Sequence, residues 1–312
     1  MVVELVAAGH AGGNSAPDEL LQAIGSRLRP ALGIALDTPG TGTAVAAGCA
    51  KLLVDLPAEP TFRLRVQALG PLELLRDGET VAHPEWRRQR VRQLLCFLVA
   101  RRRVRREEVT EELWPERDDR GRNLRVTLSY LQRVLQPERG DGEPPYFLRS
   151  AGPWLTLEGP ERLSVDAWEL DARLDQADRA EREGAPALAL AAYREALPLW
   201  RGEPFADVPY ADWAELERTR LRARYTAAAV RAGELLLAAG APAEARRAAQ
   251  QAITADTTAE NAYQLVARTH LAEENVGGAR QAVDACRAAL AALDLTPSGA
   301  TVALVGLSSP HR

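Results

Sequence analysis

The chain has 312 residues, 46% of them hydrophobic and 26% charged, with a formal net charge of -4. That length exceeds one ordinary core and predicts more than one domain, and the acidic balance excludes a chain that is basic throughout. No apolar run approaches the ~20 residues that span a bilayer, and the N-terminus lacks a basic stretch followed by an apolar core and a small-residue cleavage site; no membrane partner and a cytoplasmic location are expected.

The average charge hides an asymmetry. Residues 1–60 hold 3 Lys+Arg against 6 Asp+Glu, residues 61–157 hold 19 against 14, and residues 158–312 hold 17 against 23. Only the middle segment has the positive surplus that suits a polyanionic partner. Cys49, Cys96 and Cys286, and His10, His83, His270 and His311, are scattered without the spacing of a disulfide framework or a metal site. Neither a metal nor a cofactor is expected.

In chain order, residues 1–60 are rich in Gly, Ala and Pro, with one predicted helix over Pro17–Leu28 that aligns Leu20, Leu21, Ile24 and Leu28. The run Pro39-Gly40-Thr41-Gly42-Thr43 ahead of Asp55 has the outline of a phosphate loop. It lacks the lysine after the second glycine, and the short stretch before Asp55 leaves no room for the helix such a loop opens, so a linker or a remnant is expected. From Thr61 apolar and polar side chains alternate, with turns at Gly70-Pro71 and Asp77-Gly78, which predicts short antiparallel strands.

Three helices follow. The first, over 87–100, is largely buried, because Val91, Leu94, Leu95 and Leu98 share a face and Cys96, Phe97 and Val99 fill the rest. The second, over 105–114, is stopped by Pro115, and the third covers about 122–136. Tyr146–Arg149, a turn at Ser150–Pro153 and Trp154–Leu157 then read as a hairpin. Strands, three helices and a hairpin is the order of a winged helix-turn-helix domain.

From Asp166 the pattern is almost wholly helical. The run from Gly184 matches the run from Gly240, and Ala245 lies 34 residues before Ala279 in similar surroundings, the period of tetratricopeptide helical pairs. Small residues at such positions let antiparallel helices approach closely, and each pair needs neighbours to bury its remaining face. The expected fold is therefore an α+β winged helix-turn-helix domain followed by an all-α TPR-like repeat domain, with bounds 1–60 (N-terminal segment), 61–160, 161–307 and 308–312 (tail).

Chemistry concentrates on the third helix. Leu124, Leu128, Leu131 and Leu135 form its buried stripe, and opposite them stand Arg122, Val126, Ser129 and Arg133, flanked by Asn123, Arg125 and Tyr130. Arg and Asn can read guanine and adenine edges, and an apolar Val126 suits a thymine methyl group in a major groove; solvated charges on an exposed helix are the plainer alternative. Residues 86–106 contain nine arginines and no acidic residue, suited to phosphate contacts or, at Arg101–Arg103, to capping a helix C-terminus. Arg149, at the edge of the hairpin turn, could reach a phosphate or a second groove.

The elements Leu69–Leu74, Arg92–Ala100, Arg105–Pro115, Asn123–Leu135 and Ala196–Phe205, in that order, resemble the SARP-type bacterial transcriptional regulators, which join an OmpR-type winged helix to a bacterial transcriptional activator domain. The resemblance covers about 61–305, including Trp200-Arg201-Gly202 and a closing Leu295-Thr296-Pro297-Ser298. It implies sequence-specific binding to double-stranded promoter repeats, more than one copy on the DNA, and recruitment of RNA polymerase. By position it assigns DNA contacts to Arg122, Val126, Thr127, Ser129, Tyr130 and Arg149; Asn123, Arg125 and Arg133 come from the helical wheel. Tyr130 stands where the family has a second arginine, and Ser129 where it has another basic residue. The alternative is a TPR-like interaction scaffold whose winged helix binds protein. No nucleophile elbow, paired carboxylates or intact phosphate loop points to an enzyme.

Overall fold

The computed structural model describes residues 29–38, 42–116, 118–159 and 161–306, so the helix expected over Pro17–Leu28 lies outside the described residues. The chain divides into two compact units: one runs to Val66 and resumes at Leu74–Ser164, and the other joins Gln67–Glu73 to Val165 onward.

In the first unit, α1 (Arg29–Asp37) and α2 (Thr43–Asp55) form a hairpin around Leu32, Ala35, Cys49, Leu52 and Leu56. This corrects the expectation of a linker with no room for a helix. α2 starts at Thr43 directly after Gly42, and Asp55 closes that helix rather than a strand. Its apolar stripe is diluted by alanines, which weakens the periodicity without preventing burial.

β1 (Leu64–Gln67) buries alternate residues, Leu64 and Val66, as a half-covered strand requires. β2 (Glu73–Arg76) and β3 (Glu79–Thr80) pair antiparallel in the register Leu75 with Thr80. A short 3-10 turn, Pro84–Arg87, is capped by His83, whose ring accepts from the Glu85 amide. α3 (Gln89–Arg101) buries every residue from Leu94 to Val99.

The triple arginine does more than cap a helix. Arg101 ends α3, Arg102 reverses the chain at φ +59, and Arg103 opens β4 (Arg103–Arg105). α4 (Arg106–Leu113) and α5 (Arg120–Leu135) follow, then β5 (Leu148–Ala151) and β6 (Trp154–Leu157). β4 pairs with β6, so the wing is a three-stranded sheet ordered β4-β6-β5. β7 (Leu163–Val165) completes the other sheet, ordered β3-β2-β1-β7.

The second unit is built of helical pairs: α6 (Asp166–Arg182) with α7 (Pro186–Ala196), α8 (Asp212–Ala238) with α9 (Pro242–Ala255), and α10 (Glu260–Ala272) with α11 (Val276–Ala291), closed by α12 (Gly299–Gly306). The fourth residue of each second helix, Ala189, Ala245 and Ala279, is completely buried. A methyl group is as much as the close approach of two helices admits there. Five residues earlier the chain turns through the left-handed region at Gly184 (φ +69), Gly240 (φ +78) and, in the last pair, Glu274 (φ +58).

Glu274 thus holds a conformation that costs an L-residue about 1–2 kcal/mol and glycine almost nothing, while glycine adds unfolded-state entropy worth roughly half of that. Glu274→Gly is expected to raise stability by about 0.5–1 kcal/mol, seen as a higher urea midpoint at unchanged slope. An unchanged or lower midpoint would refute the strain at this turn.

Segment 67–73 is built into the helical unit through buried polar groups. Asp166, 1% exposed, accepts hydrogen bonds from the amides of Ala68 at 2.8 Å, Leu69 at 2.9 Å and Ala167 at 2.7 Å. The amides of Arg201 and Phe205 donate to the carbonyls of Leu69 and Ala68, each at 2.8 Å, and the Leu72 amide donates to Asp207. Gly70 sits at φ +135 with its α-carbon so close that a β-carbon would lie 3.1 Å from the Arg201 β-carbon. The Leu-Gly-Pro and Trp-Arg-Gly motifs, far apart in sequence, are therefore two sides of one contact. Burial pushes the Asp166 carboxyl above the ordinary aspartate range, against the pull of its three amide donors.

Candidate nucleic-acid interface

α5 is positioned by its apolar face: Leu124, Leu128, Leu131, Val134 and Leu135 are buried, with α3 and α4 packed beside it. The opposite face leaves Arg122, Arg125, Val126, Ser129 and Arg133 exposed, with Asn123 and Tyr130 half-buried. Val126 is 42% exposed amid these cations, an apolar group at an otherwise hydrophilic surface. Arg122 and Arg125 have no ion-pair partner among the described residues.

Two other residues of this helix are already engaged. Arg133 pairs with Glu85 at 3.4 Å, and the same carboxylate lies 3.0 Å from the His83 ring. The Tyr130 ring lies between the guanidinium groups of Arg88 (4.5 Å) and Arg133 (5.0 Å), so the tyrosine in place of an arginine organises two arginines around itself.

Thr127 is placed differently from the rest. It is 7% exposed and its hydroxyl donates to the Asn123 carbonyl at 2.8 Å, so it stands on the packed side of α5. Arg149 is not at the turn, which is formed by Gly152 and Pro153, but within β5 opposite Thr156, and its Nε lies 3.2 Å from a carboxylate oxygen of Glu158. Burial raises the Glu158 carboxyl despite this neighbour.

The exposed cations of the wing are instead Arg103 and Arg105 of β4, whose guanidinium groups lie 4.4 and 5.1 Å from the Trp154 ring of β6. Arg106 donates to the Ser150 hydroxyl at 3.0 Å. Sequence reasoning placed this pair only within the arginine-rich run 86–106 and not on the wing, because the three-residue alternation of β4 is too short to separate from the helix before it. Between α4 and α5, Arg106, Glu107, Thr110, Gly121, Leu124 and Arg125 line a shallow groove. Among the described residues no group of three His, Cys, Asp or Glu side chains could hold a metal ion, and no helix is long and apolar enough to cross a membrane. All three cysteines are buried and free.

Residues 165–306 match the bacterial transcriptional activator domain, over the same helical pairs that follow β7. That match covers the helical unit alone, and the winged helix lies ahead of it. The fold is similar to that of Mycobacterium tuberculosis EmbR, solved in complex with a low-affinity phosphopeptide, at a TM-score of 0.64 and 20% identity, over 80% of this chain. The chain spans 66% of that chain's length. No curated protein matches it in sequence.

Proposed function

We propose that this chain is a SARP-type regulator that binds double-stranded DNA at promoter repeats in a sequence-specific way, with α5 in the major groove, and activates transcription by bringing RNA polymerase to the site through its helical unit. The observation that carries this reading is the exposed face of α5, where unpaired Arg122 and Arg125 flank Val126 and Ser129. Arginine can fork onto guanine, an exposed valine can meet a thymine methyl group, and a serine hydroxyl can serve either base type. Arg133 and Tyr130, tied to Glu85 and Arg88, fit a positioning role on the phosphate backbone. Repeated half-sites would seat two or more copies side by side, each using the same α5 face.

The experiment is binding of the purified chain to its own upstream DNA against unrelated competitor DNA across a salt series, with Arg122→Ala alongside. Competitor-resistant, salt-sensitive binding is expected, weakened by about 1–3 kcal/mol in Arg122→Ala while the fold is retained. Arg149→Ala should weaken binding less, because that side chain is held by Glu158. Binding that ignores salt and Arg122 would transfer the α5 face to the competing reading, a surface for protein.

A further inference from the structure

A cavity of about 450 Å³ opens between the Trp200–Glu203 loop and helices α8 and α9. That volume lies within the range of small-molecule sites, about 300–1,000 Å³. Its wall is rigid: Arg218, with only 5% of its side chain exposed, lends its guanidinium group to the carbonyls of Pro204 and Val208 and to Glu215, and the amides of Arg201 and Phe205 are bonded to segment 67–73.

The lining has an aromatic, a cationic and an amide part. The rings of Trp200 and Tyr225 stack with centroids 4.5 Å apart and an angle of 18°. Tyr225 is 2% exposed, its hydroxyl has no hydrogen-bond partner among the described residues, and it lines the cavity beside the half-buried Trp200. Arg201 is neutralised by Glu73 and Glu203 by Arg222, whereas Arg247 is exposed and has no ion-pair partner among the described residues. The charge left over in the cavity is thus positive. Gln250 and Gln251, both exposed, add two side-chain amides, each offering a donor and an acceptor.

We propose that this cavity is an effector site for a purine mononucleotide, with the base against Trp200, its edge on the Gln250 and Gln251 amides and its phosphate at Arg247. Each part of such a ligand answers one part of the lining: a planar ring for the indole, a donor-acceptor edge for the glutamine amides, and an anion for the unpaired guanidinium. The site needs neither α5 nor DNA, so it stands apart from the DNA-binding reading and is tested by itself.

The test is calorimetric titration of the full chain with AMP, GMP, adenosine and inorganic phosphate. AMP or GMP is expected to saturate one site, with adenosine and phosphate each weaker by roughly tenfold or more, since each supplies only part of the contact. Arg247→Ala should lower AMP to the adenosine level without moving the melting temperature, because Arg247 holds nothing else in place. Trp200→Leu should remove adenosine binding as well. Absence of saturable heat with all four ligands at millimolar concentration, phosphate binding as tight as AMP, or AMP binding unchanged in Arg247→Ala would each overturn the assignment.

Discussion

Asp166→Ala is expected to cost about 3–5 kcal/mol of stability, because it strips the acceptor from the buried amides of Ala68, Leu69 and Ala167, and an unsatisfied buried donor costs about 1–3 kcal/mol. The third amide opens α6 and is the easiest for water to reach, so the total falls short of a threefold sum. Asp166→Asn should cost less, since its carbonyl oxygen replaces one carboxylate oxygen while its NH2 group opposes an amide N–H. Urea unfolding read by far-UV circular dichroism measures both. A loss below about 1 kcal/mol in the alanine variant would show that segment 67–73 is held by packing rather than by this carboxylate.

The same residue gives a pH signature. Its folded pKa is raised, so the folded state binds the proton more tightly than the unfolded state, and its contribution to stability falls as pH climbs from the ordinary aspartate range through the raised value. Asp166→Asn removes that titration. The difference in stability between the parent chain and Asp166→Asn should therefore shrink as pH rises across that window and stay flat above it.

Leu128→Ala carries the second large effect, about 2–5 kcal/mol, as a buried leucine of the α5 stripe loses its transfer energy and leaves a cavity. Val126→Ala, two residues away at 42% exposure, should move stability by less than about 0.5 kcal/mol. The pair separates the faces of one helix: Leu128→Ala acts on folding, Val126→Ala on whatever α5 touches. Equal costs at the two positions would mean that the burial of α5 is wrongly phased.

Much of this was legible because it rests on period and punctuation. The α5 stripe of Leu124, Leu128, Leu131 and Leu135 is an unbroken helical spacing, and all four are buried. The glycines at 184 and 240 mark the turns of helical pairs, and the buried alanines five residues later give the repeat its identity. The third pair was fainter because Glu274 replaces the glycine that announces the turn.

Other features rest on contacts between distant residues or on segments too short for a period. Strands β4 and β7 have three residues each, and the α1–α2 hairpin hides its stripe among alanines. At about 100° per residue Thr127 falls about 60° from Leu124, so the wheel alone puts it at the packed edge; the family resemblance had placed it on the DNA face. Arg149 has a carboxylate partner nine residues later that hairpin pairing, and not local sequence, brings to it. Asp166 stands in the first turn of α6, and only its partners at 68 and 69 reveal what it does.

The clasp on Leu69–Pro71 also constrains inheritance. A recombination that exchanged the winged-helix half as one contiguous cassette would import a foreign loop in place of Ala68–Leu72, and a side chain at the Gly70 position would be strained at φ +135 and crowd Arg201. Working chimaeras are therefore expected to keep the recipient's loop inside the donor's sheet, or to bring the matching Trp200–Asp207 stretch along.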